Sequence, residues 1–280
     1  MDRAKSDSGI GTSNTTTFLS RPDGRIAYDL VGDNGPLVVC MPGMGELRSS
    51  YRHTCPALAQ SGFRVATMDL RGHGDSDTTF SEYDDVAAGS DVLALVEHLH
   101  GPAVLVGNSM SAGAAVWAAA EKPNLVNGLV LIGPFVRNVP MNPLLGVFFR
   151  VAMSGPWARR VWVSYLPSLS PGARPADYEE HRKAISASLA KPGHRAAFTA
   201  TTRTSHAPAE ARLDQVSTPT LVIMGTRDPD FPDPAAEARH VADRLGGEVL
   251  LVDGAGHYPH ADYPQVVNPA LVEFLKKTIR

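Results

Sequence analysis

The feature that most constrains this chain is a series of short, largely apolar runs of strand length, separated by stretches with a helical rhythm. The runs at 37–41, 64–69, 103–106, 129–132, 220–224 and 248–252 are apolar on successive residues rather than on alternate ones. A strand that reads this way is covered on both faces, as in a parallel sheet held between two layers of helix. Between the runs, 90–100 places apolar residues about 3.6 apart, and 112–121 is alanine-rich and ends before Lys122-Pro123. The stretch 233–245 carries Pro234 in its first turn and stops at Gly246-Gly247, and 266–278 closes the chain. Strand alternating with helix predicts an α/β fold. Upstream, 17–20 and 25–31 flank Arg21-Pro22-Asp23-Gly24 and read as a hairpin, which brings the expected sheet to eight strands.

The alternation fails between Pro134 and Leu213. That region has no strand pattern, only helical pieces at about 143–154, 156–165, 175–190 and 193–204. A structureless loop of this length is rare in a compact domain, so the region reads as a helical insertion. The expected organisation is a polar mobile tail at 1–16, a core domain at 17–135, a helical cap at 136–212 and the rest of the core at 213–280. The cap and its junction are rich in bulky apolar residues. Most should glue the cap to the core, and some should line a cavity between the two parts. Phe135, Phe148, Trp157, Trp162 and Phe198 are the candidates, with Gly43 and Tyr258 from the core side.

Charge and cysteine content narrow the class. A net charge of −3 does not suit a general nucleic-acid binder, which would present a basic face. No run of 18 apolar residues exists, so no membrane span is expected. The N-terminal residues lack the apolar stretch of a signal peptide, and Cys40 and Cys55 are too few for a disulfide scaffold. Together these point to a cytoplasmic location.

The segment Val104-Leu105-Val106-Gly107-Asn108-Ser109-Met110-Ser111-Ala112-Gly113 sets a hydroxyl where an apolar strand meets an alanine-rich helix. At a tight strand–turn–helix junction the positions two before and two after the turn residue must be small, because the two backbones nearly touch. Gly107 and Ser111 meet that demand. Ser109 would then stand exposed at the sheet edge, beside the free N–H groups of a helix N-terminus.

Here the chain resembles the α/β-hydrolase fold family, whose nucleophile elbow is G-x-S-x-G. Ser111 replaces the last glycine, a mild departure that should tighten the turn. Other motifs follow in the family's order of Ser, acid, His. Leu221-Val222-Ile223-Met224-Gly225-Thr226-Arg227-Asp228 resembles a strand followed by G-x-x-D and implicates Asp228, with Asp230 as the runner-up. Asp253-Gly254-Ala255-Gly256-His257 resembles the G-x-G-H loop after the last strand and implicates His257, with His260 as a bland neighbour. For the oxyanion hole the resemblance implies the Met110 amide and a second donor from Met41-Pro42-Gly43-Met44-Gly45, where Pro42 stands in place of a frequent histidine and Met44 is the candidate. Asp69-Leu70-Arg71-Gly72-His73-Gly74-Asp75-Ser76 matches D-x-R-G-x-G-x-S and reads as a structural loop fastened by an Asp/Arg pair.

Serine at the elbow argues against epoxide opening and dehalogenation, which need a carboxylate nucleophile there. It suits acyl transfer to a small, largely apolar ester, lactone or thioester, with no cofactor and no metal. Alternatives within the fold are hydrolysis of a carbon–carbon bond in a ring-fission diketone, a cofactor-free perhydrolase, and a slow-turnover small-ligand receptor. Arg137, Arg150, Arg195 and Arg203 are the basic residues near the cap that a substrate carboxylate could use.

Overall fold

The computed structural model describes residues 16–139 and 143–279, so the tail expected at 1–16 lies, Thr16 apart, outside the described residues. The chain opens with β1 (Thr17–Arg21) and β2 (Gly24–Val31), an antiparallel hairpin in which Arg21 faces Gly24. It continues through β3 (Leu37–Met41), α1 (Cys55–Gln60), β4 (Arg64–Met68), α2 (Asp85–His98), β5 (Ala103–Asn108), α3 (Met110–Glu121) and β6 (Val126–Ile132). Then come α4 (Pro143–Ala152), α5 (Ala158–Leu169), α6 (Tyr178–Ala190), α7 (His194–Thr201) and α8 (Ala207–Glu210), with no strand among the described residues of this stretch. The closing part is β7 (Thr220–Gly225), α9 (Pro234–Leu245), β8 (Glu248–Val252), α10 (Pro259–Asp262) and α11 (Pro264–Thr278).

The eight strands form one sheet in the order β1-β2-β4-β3-β5-β6-β7-β8. β1 and β2 run antiparallel to their neighbours, and the rest are parallel. α2, α3 and α9 cover one face, α1 and α11 the other. Val104, Leu105 and Val106 of β5 are fully buried between these layers. Each contributes roughly 1.5–3 kcal/mol of hydrophobic stabilisation. That is why the central strands read as unbroken apolar runs and the hairpin does not. α5, α6 and α7 form a third cluster with Tyr258 and Ala261, and an Arg52–Asp177 ion pair and a 2.8 Å His181–Glu46 hydrogen bond cross from this layer to the core. No described helix is long and apolar enough to cross a membrane.

Two helix ends differ from the sequence expectation. α2 begins at Asp85 rather than near 90, because the Asp84 carboxylate caps the helix by accepting from Ala87 N at 2.9 Å. Its first turn holds buried Asp85, which breaks the apolar rhythm while bonding His206 Nδ1 at 2.8 Å. α5 runs through Pro167 to Leu169 instead of ending near 165. Leu166 and Leu169 are both buried, and their burial carries the helix past the amide that proline removes.

Candidate active site

The turn between β5 and α3 places Ser109 at φ 59°, ψ −126°, in the region that favours glycine. A non-glycine residue held there costs on the order of 1–3 kcal/mol, so the surroundings must hold it. Ser109 N donates to Ile132 O at 2.9 Å, and Ser109 O accepts from Ala112 N at 3.0 Å and Phe135 N at 3.2 Å. A Cβ on Gly107 would stand 2.3 Å from the Ser111 carbonyl oxygen, which is why only glycine fits at that position. Ser111 is buried, and its hydroxyl donates to Pro42 O at 2.6 Å. The serine that replaces the elbow's last glycine therefore does more than tighten the turn: it ties the helix to the loop after β3. Its hydroxyl is committed, whereas Ser109 stays partly exposed.

His257 and Asp228 meet in the loops after β8 and β7. Nδ1 of His257 donates to Asp228 Oδ2 at 2.7 Å, and both side chains are buried. The bond fixes the tautomer with hydrogen on Nδ1, leaving Nε2 as the free base. Burial opposes the imidazolium, but the Asp228 carboxylate, with Asp230 and Glu46 behind it, outweighs that cost and holds His257 above its ordinary pKa. Two residues bring this pair to Ser109. Asn108, its chain neighbour, donates from Nδ2 to both Ile132 O (3.1 Å) and His257 O (3.2 Å). Phe135, whose amide bonds Ser109 O, sets its ring 6.0 Å from the imidazole. At the end of β6, Gly133 leaves room for the ring, since a Cβ there would lie 3.0 Å from His257 Nδ1.

The loop after β3 passes directly over the serine. A Cβ on Gly43 would stand 2.9 Å from Ser109 Cβ. Further along, Gly45 N donates to His73 Nε2 at 3.0 Å and Glu46 N to Gly43 O at 3.2 Å. The Met44 and Met110 amides donate to nothing among the described residues. His73 is the residue whose part the sequence reading missed. Burial lowers its pKa to about 4, so it stays neutral, bonded through Nδ1 to Arg71 O at 2.8 Å and accepting at Nε2. The signal was the histidine between Gly72 and Gly74, both at positive φ. The expected Asp/Arg fastening also has different partners: Asp69 pairs with Arg48, and Arg71 with Asp91 at 2.6 Å.

Asp230, the runner-up acid, lies with its Oδ2 3.8 Å from His257 Nδ1 and its Oδ1 accepting from Tyr165 Oη at 2.6 Å. Asp228, Asp230 and His257 offer ligand atoms within 4.8 Å of one another, a spacing that could hold a metal ion. The two carboxylates and the imidazole are already committed to each other and to Tyr165, so a cation would have to break those bonds. His260 is fully buried against the Tyr51 ring, 4.6 Å away, and burial lowers its pKa to about 3.

Of the expected pocket residues, Phe135 and Tyr258 flank His257, joined by Phe231, whose ring is 6.5 Å from the imidazole. Trp162 and Phe198 are buried and brace Gly45; a Cβ there would meet the Trp162 indole at 2.4 Å. Phe148 and Trp157 are corrections. Their side chains are 69% and 49% exposed, on surfaces turned to solvent. α4 presents Val147, Phe148 and Val151 outward, and the position against the site belongs to α5.

A family model described as serine aminopeptidase, S33, matches residues 32–263. The chain is 29% identical over 96% of its length to the polyketide synthase ThaQ of Burkholderia thailandensis, but spans only 13% of that protein. It is 25% identical to 3-oxoadipate enol-lactonase 2 of Acinetobacter baylyi, with 92% of this chain and 96% of that one aligned. Among solved structures, a thermophilic esterase from Thermogutta terrifontis superposes with a TM-score of 0.80 at 24% identity, covering 95% of this chain and 100% of that one.

Proposed function

Because the chain belongs to the serine aminopeptidase S33 family and is a hydrolase of the α/β-hydrolase fold, we propose that it cleaves a carboxylic ester, lactone or thioester of a small, largely apolar substrate through an acyl-enzyme on Ser109. The observation that carries this reading is the buried 2.7 Å His257–Asp228 pair, linked through Asn108 and Phe135 to the strand–helix turn that carries the strained Ser109. An alcohol near neutral pH is a weak nucleophile and needs such a base.

In the proposed reaction Nε2 of His257 takes the Ser109 proton as Oγ attacks the carbonyl carbon. The oxyanion that forms is met by the uncommitted Met44 and Met110 amides, donors fixed before the charge appears. Collapse expels the alcohol, ring oxygen or thiol with the proton from His257. Water then attacks the acyl-serine, again giving its proton to His257, and the acid leaves. Asp228 stays ionised throughout and steadies the imidazolium. Phe135, Phe231 and Tyr258 around the imidazole favour an apolar acyl or alcohol group over a charged one. The resemblance to an enol-lactonase over nearly the whole of both chains supports cyclic esters within this class.

A fluorophosphonate probe, followed by peptide mapping, tests the assignment. The expected adduct is on Ser109, and Ser109→Ala abolishes both labelling and turnover of p-nitrophenyl butyrate. An adduct on Ser111, or turnover surviving Ser109→Ala, would reject the mechanism. The pH dependence has a definite sign. His257 acts as a base only when neutral, and Asp228 holds its pKa up, so kcat/KM rises with pH through an acidic limb centred above 6.5.

A further inference from the structure

Helix α5 touches the site at three points. Trp162 Nε1 donates to Gly45 O at 3.1 Å, in the loop that passes over Ser109. Tyr165 Oη donates to Asp230 Oδ1 at 2.6 Å, in the loop that carries Asp228. Leu169 O accepts from His257 N at 2.8 Å, in the loop that carries the imidazole. Positions 162, 165 and 169 are spaced i, i+3, i+7, which is one face of one helix. The loops they bond leave β7 and β8, neighbours at one edge of the sheet, and β3, which β5 and β6 separate from them. A single helix of the insertion thus bonds the segment beside the serine, the segment of the acid and the segment of the base.

Resting on the reading of Ser109, Asp228 and His257 as the reacting set, we propose that α5 is the template on which the active site is assembled: Trp162 is a positioning residue for the oxyanion loop, and Tyr165, through Asp230, for the charge around His257. Gly45 is gripped on both sides, its N–H by His73 in the core and its carbonyl by Trp162 in the insertion. The two bonds hold the two peptides that follow Met44, so they fix the chain on its C-terminal side and limit where the Met44 amide, one peptide earlier, can point. Asp230 is held by its own N–H, which donates to Asp228 Oδ1 at 3.0 Å, and by the Tyr165 hydroxyl.

The two arms of the template act on different quantities. His257 faces Asp228 and Asp230 from the β7 side, Glu46 from the loop after β3, and Tyr258 and His260 from its own segment. Burial, with Asp228 beside it, pushes the Asp230 carboxyl toward its protonated form; a positive charge on His257 opposes that most, and the Tyr165 hydroxyl adds to the opposition. Without this hydroxyl Asp230 takes up a proton more readily, its negative charge 3.8 Å from His257 Nδ1 is weakened, and the imidazole becomes less basic. The Trp162 bond, by contrast, joins an indole N–H to a backbone carbonyl, and neither partner titrates.

The test is the pH dependence of kcat and kcat/KM for p-nitrophenyl butyrate with the full chain and its Tyr165→Phe, Asp230→Asn and Trp162→Phe variants, each with its melting temperature. Tyr165→Phe and Asp230→Asn are expected to lower kcat about 5- to 20-fold, as for loss of a hydrogen bond to a charged group, and to move the acidic limb down by about 0.5–1 pH unit. Trp162→Phe is expected to lower kcat about 5-fold with the limb unmoved. A helix that merely anchors the insertion would give a lower melting temperature and a raised KM with the limb in place in all three, and that outcome overturns the proposal. Should Tyr165→Phe fail to fold, the isosteric Asp230→Asn change in the core reads the same limb. If Ser109→Ala stays active, the reacting set itself is wrong. If Ser109→Ala is dead while Asp230→Asn keeps the wild-type limb, only the template role of α5 falls.

Discussion

Helices α4 and α5 follow one another in the insertion and carry comparable loads of large apolar side chains, yet they do opposite things. α5 buries Trp162, Leu166 and Leu169 and spends its polar atoms on three loops of the site. α4 packs Phe149 on the same cluster but turns Val147, Phe148 and Val151 to solvent. Composition alone does not separate them. The separation comes from which face meets the edge of the sheet, and that depends on the loops after β3, β7 and β8, remote in sequence. On the proposed reading the core bears the chemistry and one helix of the insertion its alignment, so damage to the two should differ in kind.

The largest effect is expected in the core. Asp228→Asn keeps the shape of the side chain but offers His257 Nδ1 an amide in place of a carboxylate, which allows the wrong tautomer and leaves the imidazolium unsteadied. The expected loss in kcat for p-nitrophenyl butyrate is on the order of 10³–10⁴-fold. A loss of only about tenfold would make Asp230, 3.8 Å from the same nitrogen, the true partner. In the insertion the corresponding damage is to stability. Phe198 is fully buried against Trp162, with ring centroids 5.4 Å apart. Phe198→Ala should cost about 3–5 kcal/mol, read as a shifted denaturant midpoint in a urea titration. A loss of kcat larger than the Asp228→Asn loss would break the division between chemistry and alignment.

The sequence made the core legible because its constraints are local. A strand buried on both faces must be apolar throughout, a turn at positive φ needs small flanking residues, and a G-x-x-D or G-x-G-H loop is readable where it stands. The turn that carries Ser109 and the loops that carry Asp228 and His257 are legible in that way. The bonds among loops were not legible. That Ser111 would spend its hydroxyl on Pro42, that His73 would hold Gly45, or that Asn108 would bridge two strands' ends depends on pairs 28 to 149 residues apart. α5 runs past its expected end near 165, through Pro167, for a related reason. A local rule ends a helix there, whereas the burial of Leu166 and Leu169 continues it, and Leu169 supplies the carbonyl that holds His257. Phe148 and Trp157 were placed in the pocket because a bulky side chain near a cap reads as lining, and nothing in a single sequence says which way α4 faces.

The smallest expected effect sharpens the contrast most. Phe148 shares its residue type and its insertion with Phe198 but is 69% exposed. Its replacement by serine removes a ring that water already surrounds, so no cavity opens and no buried group loses a partner. Unfolding free energy should change by no more than about 0.5 kcal/mol, and kcat/KM for p-nitrophenyl butyrate should stay within about twofold. The same holds if Val147→Ser is added, since the two side chains share one solvent-facing surface. A drop in KM-normalised activity confined to long-chain esters would mean that α4 reaches the acyl chain after all. A drop in urea midpoint comparable with that of Phe198→Ala would mean that the face of α4 carrying Val147 and Phe148 is covered in solution. Either result would erase the difference between the two helices on which the division between chemistry and alignment rests.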